Sequence, residues 1–448
     1  MTLLERYGTR PVPRYTSYPP ANVWRDVDGE EFWPRTLRAI ARPLALYVHV
    51  PFCAKLCFYC GCNLLVTRSE KLVERYLAAL ELEVVRAARL ATRTGPVVQL
   101  HLGGGTPTHL SSPQLRQLSD TLQRHFPFAR GIEASIEVHP PVTTAEQLET
   151  LASLGFNRVS MGVQDFDPRV QERVNRPQPF EQTRDLVLAA RANGFSSVNV
   201  DLMYGLPLQT LEGYAQTLDR VEALRPDRVA VFGYAHVPNL KKHQSVLDTN
   251  ELPGPSLRLA LLELASARLQ RAGYVSIGLD HYALPHDELL KARADKTLRR
   301  NFMGYSTGAE TDLLAFGPSS ISEVGGFYAQ NAREVRDWAA RLEEGRSPVI
   351  RGHASSADEN LRRDVIMSVL NHLEVDLDAV ARRHGQRWSL FAPELERLEP
   401  LIADGLCVRD GPMVRVTAEG QPLMRTVAAV FDATLEHDAT PRNHAAAV

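Results

Sequence analysis

The chain has 448 residues, 44% of them apolar and 23% charged, with a formal net charge of −2. These proportions are those of a folded globular protein, long enough for two or three domains or one large barrel with appendages. They exclude bulk electrostatic attraction to nucleic acid or to an anionic membrane. With no run of about 18 apolar residues, no bilayer span is expected either.

Residues 1–43 read as an N-terminal extension. Its string Pro13-Arg14-Tyr15-Thr16-Ser17-Tyr18-Pro19 is bounded by prolines and is not expected to be helical. On residue pattern alone it is a surface arm packed by its tyrosines. The N-terminus shows no apolar signal core, so a cytoplasmic location is expected.

Leu44–Val50 is a strand-like run that Pro51 ends. Four of the chain's five cysteines follow: Cys53, Cys57, Cys60 and Cys62, spaced C-x₃-C-x₂-C-x-C. Clustered thiolates hold soft metals, which leaves zinc, copper(I) or an iron–sulfur cluster. Four inert buried cysteines or a disulfide pair fit this crowding poorly. A structural zinc normally draws on a second, distant ligand pair, and no distant C-x-x-C or H-x₃-H is present.

From residue 44 to about 284, strand-like and helix-like segments alternate. Strands are predicted at 44–50, 97–103, 132–138, 158–163, 197–203 and 228–234. They are short, mostly apolar and flanked by glycine or polar turns, as buried parallel strands are. Amphipathic helices are predicted at 70–92, 112–125, 144–154, 180–193, 210–224 and 256–272. In the first, Leu72, Tyr76, Leu80 and Val84 recur with Val73 and Leu77 on one stripe. Six such units imply a parallel, right-handed, open barrel whose chemistry lies at the C-terminal strand ends.

The chemistry-bearing residues do fall just after the strands. Gly103-Gly104-Gly105-Thr106 follows the second; alone it indicates a tight turn. Glu137 ends the third, Gln164 the fourth, and Asp201 lies within the apolar run of the fifth, where it should be bonded. Residues 357–436 read as a separate, mostly helical lobe. A helix starts near Leu361, another spans Pro393 to Leu401, and a hairpin runs from Asp404 to Gly420. This resembles a winged helix, but without the dense basic stripe of a DNA-binding domain. Residues 437–448 are expected to be a disordered tail.

The pattern C-x₃-C-x-aromatic-C after a first strand resembles the radical S-adenosylmethionine (SAM) superfamily. The fuller string from Tyr47-Val48-His49-Val50-Pro51-Phe52-Cys53 to Cys62-Asn63, with its extra C-x-C, resembles the oxygen-independent coproporphyrinogen III oxidase family of haem biosynthesis. Matching segments run from about residue 11 to about residue 435. The resemblance implies an α/β fold: an open (β/α)₆, partial TIM-like radical SAM barrel with an extension over 44–356, an N-terminal arm over the active site, and the C-terminal lobe.

It also implies the site. Cys53, Cys57 and Cys60 would bind a 4Fe–4S cluster whose fourth iron is chelated by SAM, and Cys62 would not bind iron. Gly104, Gly105 and Thr106 would hold the methionyl group of SAM. Two SAM molecules are implied, Tyr47 and Glu137 near the first and Gln164, Arg176 and Asp201 near the second, and these five are the catalytic candidates. Tyr59 would lie beside the adenine, where a relative has Phe, with the Ala235 backbone close by and Ile321 a further contact. His139 stands where Asp is expected, and Leu284 where some relatives carry a basic residue. Arg14 would pair with a substrate carboxylate.

By this resemblance the substrate is coproporphyrinogen III, two propionates of which become vinyl groups. Reduction of the cluster would cleave SAM to methionine and a 5′-deoxyadenosyl radical, which takes the propionate β-hydrogen. A flavodoxin or ferredoxin donor, a monomer, and no nucleic-acid or membrane partner are expected. Alternatives are a radical SAM enzyme acting on haem or another tetrapyrrole, and a haem chaperone. Such chaperones typically lack the fourth cysteine and the Pro13–Pro19 string.

Overall fold

A computed structural model describes residues 3–8, 10–307 and 310–435. The chain divides into two compact units. One contains Arg25–Gly273 and residues 310–354; the other contains the described residues up to Trp24, residues 274–307 and those from Ser355 on.

The first unit holds the predicted strands nearly residue for residue: β1 (Leu44–Val50), β2 (Val97–Gly104), β3 (Phe128–Val138), β4 (Arg158–Gln164), β5 (Ser197–Tyr204) and β6 (Arg228–Gly233). They pair in parallel in that order. A strand not foreseen, β7 (Asp312–Phe316), adds in parallel on the other side of β1. Beyond it β8 (Ile321–Val324), β9 (Phe327–Asn331) and β10 (Val349–Ala354) continue as an antiparallel extension. β6 and β7 do not pair with each other, so the parallel strands form an open rather than a closed barrel.

The connecting helices are α1 (Glu70–Leu90), α2 (Ser112–His125), α3 (Ala145–Ser153), α4 (Phe180–Ala192), α5 (Leu211–Leu224) and α6 (Pro255–Arg271), with α7 (Val335–Glu343) after β9. Local chemistry fixes their starts. Ser111 with Gln114 and Thr144 with Gln147 form reciprocal capping boxes on α2 and α3. The buried stripe of α1 includes Val73, Tyr76, Leu77, Leu80 and Val84, as its periodicity required, but also Glu83. Within the stretch read as an extension, Gly29–Arg38 is a helix capped by Asp28, and Arg25–Asp26 pairs with β10.

The strands differ from the continuous apolar runs of sheets buried on both faces. In β4 and β5, buried Val159, Met161, Val163, Val198, Val200 and Leu202 alternate with half-buried Ser160, Asn199 and Asp201. Register aligns these polar positions: Tyr47 with His101, His101 with Ser135, Glu137 with Ser160, Ser160 with Asn199, and Gly162 with Asp201. The outward face thus packs on helices while the inward face is polar, which a structural core alone would not need.

The second unit is mostly helical, built on Ala357–His372, Leu377–Arg383, Ala392–Ala403 and Met424–Ala429. Cys407–Asp410 and Met413–Val416 form the expected hairpin, and a third strand, Glu374–Asp376, pairs with Met413–Val416. Tyr7, Val12, Tyr15 and Tyr18 lie in its core with Val365, Val369, Phe391, Val427 and Phe431. The Tyr15 hydroxyl donates to Asp432 at 2.8 Å, and Ala433 N–H donates to the Tyr18 hydroxyl at 3.2 Å. The tail predicted at 437–448 lies outside the described residues.

Candidate active site

The cysteine loop leaves the C-terminal end of β1. Phe52–Cys53 pairs in parallel with Leu65–Val66 and closes the base of the loop. Cys53 is buried there, its Sγ 3.5 Å from the Thr106 hydroxyl, while Cys57 and Cys60 are half-buried, Cys62 is exposed, and all four are free thiols. Neighbouring loops grip this one by its backbone. Asn175 donates to the Leu56 carbonyl at 2.7 Å, and Phe58 N–H donates to Val174 O at 3.0 Å. From the segment after β6, Gln244 donates to the Tyr59 carbonyl at 2.9 Å and Lys241 to the Cys62 carbonyl at 2.8 Å. His243 Nε2 stands 2.8 Å from the Cys60 carbonyl. Bonds to its backbone from two neighbouring segments hold this loop in place.

Burial pushes the Cys53 thiol up to about 11. A hydrogen bond with the Cys62 thiol holds Cys60 down, to about 7, against burial and with help from Arg176 and Lys241. The same bond pushes Cys62 up. Among the described residues no three His, Cys, Asp or Glu side chains converge as ligands of a single metal ion. A cube that takes one thiolate per iron does not require such convergence, and three soft donors on one such loop fit it.

Inside the barrel, the Tyr47 ring stacks on His101 with centroids 5.8 Å apart. The Tyr47 hydroxyl lies 2.9 Å from His49 Nδ1, and His49 Nε2 lies 2.8 Å from the Asn63 carbonyl. A carbonyl only accepts, so Nε2 carries the proton and Nδ1 accepts from Tyr47. Burial keeps this imidazole neutral by lowering its pKa. Glu137 accepts from Gly104 N–H at 3.1 Å and faces His101 Nε2 at 3.4 Å. Burial raises its pKa, but His101 and the Gly104 amide outweigh burial and hold the carboxyl below the usual range. With 44% of its side-chain surface open, Glu137 is an ionised acceptor with capacity to spare. Gly104 has φ +117°, and a Cβ there would come within 2.7 Å of the His49 ring.

β4 ends on an irregularity, with the register shifting between Gly162 and Gln164. Gln164 takes φ +70°, a conformation that costs a side-chain-bearing residue of order 1 kcal/mol. Its Oε1 is buried without a partner among the described residues, as are Arg176 Nε and His139 Nε2. Asp201 accepts from Asn199 Nδ2 at 2.7 Å and from the Ser160 hydroxyl at 3.2 Å. Burial, reinforced by the Glu137 charge, pushes Asp201 up to about 6. Arg176 donates to Cys57 Sγ at 3.5 Å and to the Gly162 carbonyl. Burial opposes its charge, but Tyr59 and Cys57 more than restore it.

Tyr59 is buried against Val170, Val174, Leu206, Tyr234 and Leu247. Ala235 is exposed, its carbonyl accepting from Gln244 at 3.3 Å. Ile321 opens β8, just past the turn that follows β7. Because β7 runs parallel to β1, that turn shares an edge with the cysteine loop, and a Cβ on Gly317 would lie 2.5 Å from the His49 carbonyl. Bonds therefore link the cysteine loop, Tyr47, Thr106 and Arg176 to one another or through single intermediaries, and Gly104 to Glu137. Ile321 is brought only to the same edge.

Several side chains in this region were not singled out from sequence: His49, His101, Asn175, Lys241, His243 and Gln244. For the two histidines a signal existed, since each is a polar residue inside an otherwise apolar strand. The residues from 241 to 244 lie in a polar loop where nothing local marks a contact across about 180 positions.

An open parallel barrel with a thiol loop after its first strand and a glycine turn after its second defines a radical SAM protein. The radical SAM superfamily is matched over residues 47–221. The chain is 43% identical over 445 residues to the oxygen-independent coproporphyrinogen III oxidase of Escherichia coli K12, covering 98% of this chain and 96% of that one. It is 41% identical over 436 residues to the enzyme of that name from Pseudomonas aeruginosa, with 96% and 95% covered. The solved coproporphyrinogen III oxidase of E. coli, described as a radical SAM enzyme, superposes with a TM-score of 0.91 at 43% identity over 94% of this chain and 97% of that one. The chain belongs to the oxygen-independent coproporphyrinogen III oxidase family. SAM and a 4Fe–4S cluster come with the superfamily. Among the described residues, no helix is long and apolar enough to cross a membrane.

Proposed function

We propose that this chain converts two propionate side chains of coproporphyrinogen III to vinyl groups, giving protoporphyrinogen IX for haem biosynthesis without oxygen. Each propionate gives up a hydrogen atom, one electron and CO₂. The observation that carries the reading is a four-thiol loop, fixed by bonds to its backbone, at the mouth of a barrel whose inner face presents an ionised Glu137. Similarity over nearly the full length to proteins named for this reaction supports it.

Cys53, Cys57 and Cys60 would hold the cluster. With SAM bound there, the reduced cluster would supply one electron to cleave SAM to methionine and a 5′-deoxyadenosyl radical, the acceptor of the propionate β-hydrogen atom. Glu137, held by His101 and the Gly104 amide, would accept from the methionyl ammonium. The Gly104-Gly105-Thr106 turn brings backbone close to the same group, and Tyr47 braces the loop through His49. A second SAM would lie against Gln164, Arg176 and Asp201: a cation for its carboxylate and, once ionised, Asp201 for its ammonium. Tyr59 and the Ala235 backbone flank the adenine, and Ile321 adds an apolar contact. Arg14 is the candidate partner of a substrate carboxylate, to which a guanidinium can bond in bidentate fashion. A flavodoxin or ferredoxin donor, a monomeric state and a cytoplasmic location complete the proposal.

Incubation of the anaerobically reconstituted protein with SAM, reductant and coproporphyrinogen III should release 5′-deoxyadenosine, CO₂ and the divinyl product. Haem breakdown instead would point to another tetrapyrrole reaction, and tight haem binding without turnover to a chaperone. Colourless protein carrying zinc and no iron would refute the cluster.

A further inference from the structure

The turn Val174-Asn175-Arg176 is built onto the cysteine loop. Asn175 takes φ +57°, uncommon for a residue with a side chain. In that conformation it donates to Leu56 O, while Val174 O accepts from Phe58 N–H. The turn directs the Arg176 side chain between β4 and the cysteines, where Nη1 donates to Cys57 Sγ at 3.5 Å and Nη2 to the Gly162 carbonyl. Gly162 makes room, since a Cβ there would lie 2.9 Å from Nη2.

Among the described residues no carboxylate lies within ion-pair distance of this guanidinium. Asp201, the acid that acts on it, already accepts from Asn199 and Ser160. His139, which follows β3, feels the Arg176 charge, and burial followed by that charge lowers its pKa to about 3. An uncharged ring therefore lies within electrostatic reach of the guanidinium, at a position where a carboxylate would offset part of its charge.

Charge and hydrogen bonds to the ligand sulfurs are the protein's levers on an iron–sulfur potential. A cation stabilises the more negative, reduced state, and an N–H donated to a thiolate does the same. We infer that Arg176, left without a carboxylate counter-ion, raises the one-electron reduction potential of the cluster through its bond to Cys57. Arg176 is here a positioning and tuning residue, in addition to any contact with SAM. The inference rests on Cys57 being a cluster ligand.

The test is an EPR-monitored titration with dithionite of the anaerobically reconstituted full chain without SAM, with iron and sulfide counted for every variant. Arg176→Gln and His139→Asp should both move the midpoint to more negative values at unchanged iron content. His139→Asn, uncharged, should stay at the wild-type value. Midpoints of Arg176→Gln and His139→Asp equal to wild type would overturn the inference and leave the cluster assignment standing. Wild-type protein that binds no iron would overturn that assignment instead. If Arg176→Gln fails to hold iron, the comparison of His139→Asp with His139→Asn, both of which keep the arginine, decides the matter.

Discussion

Two carboxylates on the same barrel wall lean in opposite directions. Glu137 is kept ionised by His101 and an amide, whereas Asp201, with two neutral donors and Glu137 nearby, is pushed up to about 6. A free aspartate titrates near 3.9. Between about pH 4 and the folded value near 6, the folded chain keeps a proton that the unfolded chain has lost. Stability contributed by this residue therefore falls as pH rises through that window and stays reduced above it. Asp201→Asn should stabilise the protein at pH 7 by about 1–2 kcal/mol, with the gain disappearing toward pH 4, as read by urea unfolding. Under the proposed role of Asp201 as partner of a SAM ammonium, the same variant should also lose activity, since an amide cannot become an anion. A variant no more stable at pH 7 than at pH 4 would mean that Asp201 is not strained by its surroundings.

At the scale of elements, α1 is tied to the extension strands by one buried acid. Glu83 is 1% exposed and accepts from Gly317 N–H at 2.9 Å, Asn331 Nδ2 at 2.6 Å and Trp338 Nε1 at 3.1 Å. Burial pushes its pKa up, toward about 8, yet every partner is a donor, so the carboxylate is the form the geometry accommodates. Glu83→Gln would turn an amide N–H₂ toward at least one of these donors. It should cost about 2–4 kcal/mol by denaturant unfolding; a cost below about 1 kcal/mol would show that the acid is held protonated. The clamp bears on the site because Gly317 adjoins the end of β1 and the turn leading to Ile321.

The helices and parallel strands of the barrel were legible because their signals are local. Periodicity and flanking turns mark α1 at 70–92 in the sequence against Glu70–Leu90 in the structure. β7 was not legible, since Asp312-Leu-Leu-Ala-Phe is a short apolar run that periodicity cannot assign, and pairing with β1 across some 270 positions makes it a strand. The helix Gly29–Arg38 was hidden by its proline and by the irregular string before it.

At the scale of the whole molecule, the chain crosses between its two compact units more than once. The helical unit takes core residues from the start of the chain: Tyr7, Val12, Tyr15 and Tyr18, all buried. Removing the residues before Trp24 would strip about 5–10 kcal/mol of apolar burial from that unit, comparable to the whole stability of a domain. The truncated protein should lose its native thermal transition there and become protease-sensitive between residues 355 and 435. An unchanged proteolysis pattern and melting temperature would show that these tyrosines are dispensable to the core.

What the sequence determined by itself was the chemistry: a thiol loop, a glycine turn and acids at strand ends, together with the alternation that makes an open barrel. Each depends on residue type and spacing within about a dozen positions, where backbone geometry leaves little choice. What only the tertiary structure decided was which groups share an environment. The low Cys60 and raised Asp201, the His49 relay from Tyr47 to Asn63, and the arginine on Cys57 within electrostatic reach of a neutral His139 arise from burial and from contacts between distant segments, and electrostatics at a few ångströms is set by the fold.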